Sequence, residues 1–175
     1  MVDVESDGPI PGDYSMIAVG AVVVEPDLSR TFRAYLRPIS EKWDPEAIAV
    51  GGFTREQTMG EAPPYLNFAP PQRVMEEFAE WIRGIGVKRP IFIADNNGFD
   101  WSFVNWYFHH FTGSNPFGFS SQNLNSFYKG LTRDSFASFR HLRRTKHDHD
   151  PLNDAKGNAE ALLHMAQEMG MRIPL

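Results

Sequence analysis

Residues 16–25 read Met-Ile-Ala-Val-Gly-Ala-Val-Val-Val-Glu, and no other segment constrains the fold of this chain as strongly. A β-branched apolar run of this kind suits a strand buried on both faces, so other elements have to cover it above and below. Pro26, Asp27, Leu28 and Ser29 supply a turn, and residues 31–37 then alternate apolar and polar side chains. The two segments are expected to pair as an antiparallel hairpin. Residues 2–5 are expected to add a third strand and residues 90–94 a fourth, with Pro90 suited to a strand's first position.

Helical periodicity accounts for much of the remainder. Across residues 72–85, Val74, Phe78, Ile82 and Ile85 fall on one face while Glu76, Glu77, Glu80 and Arg83 lie largely off it. Residues 101–111 form an aromatic helix with Gly113 placed to stop it, and Trp101, Phe103 and Trp106 read as core. The last helix is expected over residues 151–169, with Asp150 as N-cap, Pro151 at its first position and Gly170 beyond its end. Its buried stripe is Ala155, Ala159, Leu162, Leu163, Ala166 and Met169. Residues 62–71 and 115–119 read as loops. A hairpin followed by alternating helices and strands implies an α/β sandwich around a mixed sheet. With 175 residues, 42% of them hydrophobic, one domain spanning residues 1–175 is expected.

The chain has no cysteine, which excludes disulfides and thiolate metal sites. Any metal must take oxygen and imidazole ligands, which favours magnesium or manganese. No apolar run approaches the roughly 20 residues of a membrane span, and the opening Met1-Val2-Asp3 lacks the regions of a signal peptide. A cytoplasmic protein without a membrane partner is expected. The net charge of -5 by itself opposes a nucleic-acid partner, but carboxylates gathered at a metal centre are cancelled by their own cations. Arg133, Arg140, His141, Arg143, Arg144, Lys146 and His147 form a local basic run. It reads equally as a solvated loop and as a set of phosphate contacts.

Three acidic islands carry the chemistry: Asp3-Val4-Glu5, Asn97-Gly98-Phe99-Asp100 and His149-Asp150-Pro151-Leu152-Asn153-Asp154. Several carboxylates with one imidazole can hold two divalent metals and activate water beside them. On a strand, Asp3 and Glu5 point to the same face. Asp100, at the start of the aromatic helix, suits either a helix cap or a metal ligand. Asp154 falls on or beside a buried stripe, a poor place for an unpaired charge. His149 lies in the loop before the last helix, and His147 is its rival as a base.

Together these islands resemble the motifs of the DEDDh exonucleases, and Gly51-Gly52-Phe53-Thr54 is similar to that family's Gly-hydrophobic-Thr turn before a helix. The resemblance implies a ribonuclease H-like fold, a mixed five-stranded sheet flanked by helices on both faces. It also implies a metal-dependent 3′–5′ exonuclease that releases nucleoside 5′-monophosphates from single-stranded RNA or DNA 3′ ends, using two Mg2+ or Mn2+ ions. In that scheme Asp3 bridges the two ions, Glu5 and Asp154 bind the first, Asp100 supports the second, and His149 is the general base. Gly52, Phe53 and Thr54 contact substrate with Arg143 and Arg144, and Phe53 is either a stacking platform or a core side chain. Asp150 occupies the position that is tyrosine in a sister group, which selects the histidine form. Gln122-Asn123-Leu124-Asn125 stands where the family often has an acidic residue opening a later helix.

Only Met1 and Val2 precede Asp3, so the natural start is expected upstream, or the first strand to be unusually short. RNA is the favoured substrate, because no polymerase-docking tail is visible. A DNA-directed trimming or proofreading exonuclease and a non-catalytic nucleic-acid-binding module are the competing readings. A homodimer is compatible with the family.

Overall fold

Three strands open the chain in the computed structural model, which describes residues 1–173: β1 (Val2–Ser6), β2 (Met16–Val22) and β3 (Thr31–Leu36). All seven residues of β2 are buried, as the apolar run requires, and antiparallel neighbours flank it on both edges. The strand stops at Val22, because the chain turns at residues 23–30, where Glu25 and Arg30 form an ion pair at 2.7 Å. Two short helices follow, α1 (Pro45–Val50) and α2 (Arg55–Met59), then β4 (Phe68–Ala69) and α3 (Pro71–Gly84). The second half comprises β5 (Phe92–Ala94), α4 (Asn97–Thr112), β6 (Ser121–Asn123), α5 (Leu124–Thr132) and α6 (Pro151–Glu168).

The mixed α/β architecture agrees with expectation, but the sheet is divided differently from the five strands anticipated. Strands β1, β2, β3 and β4 form one hydrogen-bonded sheet in that order, with β3 and β4 parallel. Strands β5 and β6 form a separate parallel pair, and β5 lies beside β1. The β1–β2 register shifts by one residue between Glu5 and Ser6. Residues 62–71, read as loop, contain the two residues of β4, a strand too short for an alternating pattern to reveal.

Two apolar clusters occupy the two faces. Val2 and Val4 pack with Phe78, Phe103, Val104 and Tyr107 on the side of α3 and α4. Val22 packs with Leu124, Ala155, Ala159 and Leu162 on the side of α5 and α6. Because β-strand side chains alternate, Asp3 and Glu5 point toward α6.

Gly20 determines how close α6 can come. It lies opposite Asp3 in the β1–β2 ladder, and a Cβ there would fall 2.2–2.3 Å from the backbone of Pro151 and Leu152. The first turn of α6 therefore rests directly on the sheet backbone. Asp150 caps that turn by accepting from the Leu152 and Asn153 amides, and Pro151 occupies the first helical position as expected. Helix α6 ends at Glu168 with Gly170 in the left-handed region, but its buried face uses Ala161 and Met165 in place of the predicted Ala166 and Met169.

Gly20→Val is expected to push α6 off the sheet and lower unfolding free energy by about 1–3 kcal/mol or more, the range for overpacking a filled site. Urea denaturation would measure the loss, and native-like stability would contradict the close approach.

Candidate active site

Three elements bring the acidic islands together. Asp3 and Glu5 come from β1, Asp100 from the first turn of α4, and Asp154 from the first turn of α6. Carboxylate oxygens of Asp3, Glu5 and Asp154 all lie within 4.8 Å of one another. Helix α4 begins at Asn97, four residues before the predicted start, so Asp100 is not its N-cap. Its Oδ1 accepts the Val4 amide at 3.1 Å, which fixes the carboxyl beside β1.

Burial and mutual repulsion make Asp3, Glu5 and Asp100 resist ionisation. Part of Asp3 reaches solvent, yet protein surrounds its carboxyl closely; burial, then Asp100, Glu5, Asp95 and Asp154, hold its pKa well above the usual range. Burial first and Asp95 second raise Asp100, partly opposed by the Val4 amide. Glu5 is raised from 4.5 to about 8 by burial, then by Asp154 and Asp150. Asp100 Oδ2 and both oxygens of Asp154 are buried without a hydrogen-bond donor. Anionic oxygens so enclosed are costly unless cations neutralise them, so the set fits divalent metal ions.

Both candidate bases border this group. His149, in the left-handed region at φ 61°, places Nδ1 3.8 Å from Glu5 Oε1. His147 Nδ1 stands 2.7 Å from Asp154 Oδ1, off the angle a hydrogen bond requires, and its ring centroid is 4.5 Å from that of His149. His149 also lines a cleft of about 290 Å³ with Tyr35, Gly51, Phe53, Pro151 and Asn153, whereas His147 does not.

Phe53 enters that cleft half-buried, held edge-to-face by Tyr35 at 5.9 Å and Phe68 at 5.7 Å. Gly51 lies against Glu5, where a Cβ would approach Glu5 Oε2 to 3.3 Å, and Gly52 adopts φ 76°. The Thr54 hydroxyl accepts the Gln57 amide in a capping box, so its side chain starts α2. Buried Asp7 ties this turn to the end of β1 through Arg55 at 3.0 Å and the Ser15 amide.

Arg143 and Arg144, expected to contact substrate, do not line the cleft. The Arg143 side chain is 7% exposed, and its guanidinium pairs with Asp95 at 3.0 Å, donates to Asn158 Oδ1 and lies over Phe139. It clamps the loop before His149 to the end of β5. Arg144 is exposed and lines a separate cavity of about 250 Å³ with Glu160, Leu163 and His164. Asp95, Gly20 and Asn158 were not singled out by sequence reasoning: Asp95 sat in an ordinary polar turn, and Gly20 and Asn158 matter only through partners distant in sequence.

The fold matches that of solved nucleases. The nuclease domain of 3′hExo, described as a DEDDh family member bound to rAMP, superposes with a TM-score of 0.74 at 17% identity, over 99% of this chain and 94% of that one. Escherichia coli exonuclease I in complex with a dT13 oligonucleotide gives 0.69 at 16% identity, over 95% of this chain and 40% of that one. No protein-family model matches the sequence. The 3′–5′ DNA exonuclease Cap18 of Escherichia coli is 40% identical over 170 residues, covering 91% of this chain and 86% of that protein. The chain belongs to the DEDDh 3′–5′ exonuclease family. It is a 3′–5′ exonuclease acting on nucleic acid, and DEDDh exonucleases use divalent metals. No helix among the described residues is long and apolar enough to cross a membrane.

In this DEDDh exonuclease, two sets of consequences follow from the geometry. Removing the buried guanidinium in Arg143→Met leaves Asp95 unpaired and is expected to cost about 3–5 kcal/mol of stability, measurable by urea denaturation. Arg143→Lys is expected not to restore it, because one ammonium cannot span both acceptors. Glu5 binds its proton more tightly in the folded than in the unfolded chain. Its stabilising contribution is therefore present below pH 4.5 and lost as pH rises toward 8. In a chelating buffer at pH 9, Glu5→Gln is expected to melt on the order of 5 °C above the native protein, with no such gain at pH 4. A pH-independent difference in differential scanning calorimetry would contradict this.

Proposed function

We propose that residues 1–175 form one exonuclease domain that removes nucleotides from single-stranded DNA 3′ ends by a two-metal mechanism. The observation carrying this reading is the convergence of the Asp3, Glu5 and Asp154 carboxylates within 4.8 Å, beside a cleft bordered by His149 and Phe53. DNA replaces the RNA preference expected from sequence, and the support is the 40% identical relative, itself a DNA exonuclease.

Asp3, Glu5 and Asp154 would hold one divalent ion, and Asp3 with the free oxygen of Asp100 a second. Bound Mg2+ or Mn2+ would make a water more acidic and offset the charge that develops on the phosphate and on the leaving 3′ oxygen. His149 accepts the proton of the attacking water, and its Nδ1 lies 3.8 Å from Glu5 Oε1, at the edge of the carboxylate set. The exposed side of His149 lets that proton pass to solvent. Phe53 offers a ring face to the terminal base, a contact available to every base and therefore independent of sequence. The aromatic supports from Tyr35 and Phe68 keep that ring in place. Arg143 acts as a positioning residue, since it holds the loop that carries His149.

5′-labelled single-stranded DNA and RNA of one sequence, incubated with Mg2+ or Mn2+, test the reading. A ladder shortening from the 3′ end is expected, faster on DNA. His149→Ala is expected to lower the rate by roughly 10²–10⁴-fold, the range for losing a general base, and Asp3→Ala to abolish it. His147→Ala is expected to remain active; an inactive His147→Ala beside an active His149→Ala would reverse the assignment. Faster loss of RNA would overturn the substrate class, and binding without cleavage under either metal would favour a non-catalytic module.

A further inference from the structure

The geometry points to a second metal-binding mode in which His147, His149 and Asp154 capture a zinc-like ion and take the catalytic centre out of action. Donor atoms of these three side chains all lie within 4.8 Å of one another. Asp154 is 1% exposed and both its oxygens lack a hydrogen-bond donor, so a buried anionic group is aimed at the two imidazoles. His147 Nδ1 stands 2.7 Å from one of those oxygens, and the two imidazole rings meet at 4.5 Å between centroids.

Asp154 thus belongs to two donor sets of different chemical character. With Asp3 and Glu5 it offers oxygen alone, which suits a hard ion such as Mg2+ or Mn2+. With His147 and His149 it offers two nitrogens and one oxygen, a set that suits Zn2+ with water as the fourth ligand. Bonds of 2.0–2.2 Å to zinc set the edges of such a tetrahedron at about 3.3 Å. Both imidazoles are partly exposed, at 47% for the His147 side chain and 42% for that of His149, so rotation can draw the donors together without disturbing the core.

The consequence rests on the proposed role of His149. A zinc ion held by its nitrogen leaves no base for the attacking water, and it withdraws Asp154 from the carboxylate set. His147 is the discriminating ligand, because it belongs to the zinc set alone.

Isothermal titration of the chelator-treated full chain with ZnCl2 would test this, comparing the native protein with His147→Gln. The native chain is expected to bind with micromolar or tighter affinity, and His147→Gln at least about tenfold more weakly. Co2+ is expected to give the intense visible absorption of a tetrahedral site in the native chain and to lose it in His147→Gln. In a Mg2+-supported assay, each protein scaled to its own zinc-free rate, the zinc concentration for half-inhibition is expected to rise by the same factor. Equal zinc affinity in the two proteins, or unchanged Co2+ absorption, would overturn the inference. Failure of the His149 assignment would appear separately, as an active His149→Ala in Mg2+ alone, and would leave the zinc titration unaffected.

Discussion

The seating of α6 on bare backbone at Gly20 is the constraint from which the rest of the site follows. A side chain at that position would hold Pro151 and Leu152 away from the sheet. Asp154, one turn along the helix, would then lose its place beside Asp3 and Glu5. Capping by Asp150 and the preset φ of Pro151 fix where the helix begins, so contact with the sheet and helix register together place one carboxylate. Gly157 makes a related accommodation further along, where a Cβ would fall 3.0 Å from the Thr145 carbonyl oxygen. The loop bearing both histidines is therefore held close to the helix it precedes.

Against that placement works the repulsion among the carboxylates. Glu5 shifted to about 8 and Asp3 and Asp100 shifted well upward reflect a folded state that gathers carboxyl groups where water cannot screen their charge, so that ionising them is costly. The Val4 amide on Asp100 and the Arg143 guanidinium on Asp95 offset part of the cost without occupying the free oxygens. Stability is given up locally, and the hydrophobic clusters on the two faces of the sheet supply it elsewhere.

Much of this arrangement was legible in the order of residues. The Asp3-x-Glu5 spacing on a strand, Asp150-Pro151 as a helix entry, and Asp154 beside an apolar stripe each have a local physical reason, and each is where local reasoning puts it. Gly113 and Gly170 both follow helix ends with positive φ, as their positions implied. What stayed hidden depends on partners far apart in sequence. Nothing near Gly20 announces Pro151, and nothing near Arg143 announces Asp95, 48 residues away. Arg143 read as part of a basic run because its neighbours are basic, while the fold turns it inward. Strands β4 and β6 have two and three residues, too few to set a period.

Tyr35 and Phe68, which brace Phe53, lie on β3 and β4, whereas the carboxylates lie on β1, α4 and α6. The ring beside the cleft and the acidic cluster are thus supported by different parts of the chain. Sequence drift in the proline-rich segment around Phe68 can tilt Phe53 while leaving every carboxylate in register. A lineage built on this plan can change which strand ends it accepts without reopening the problem of how to break them.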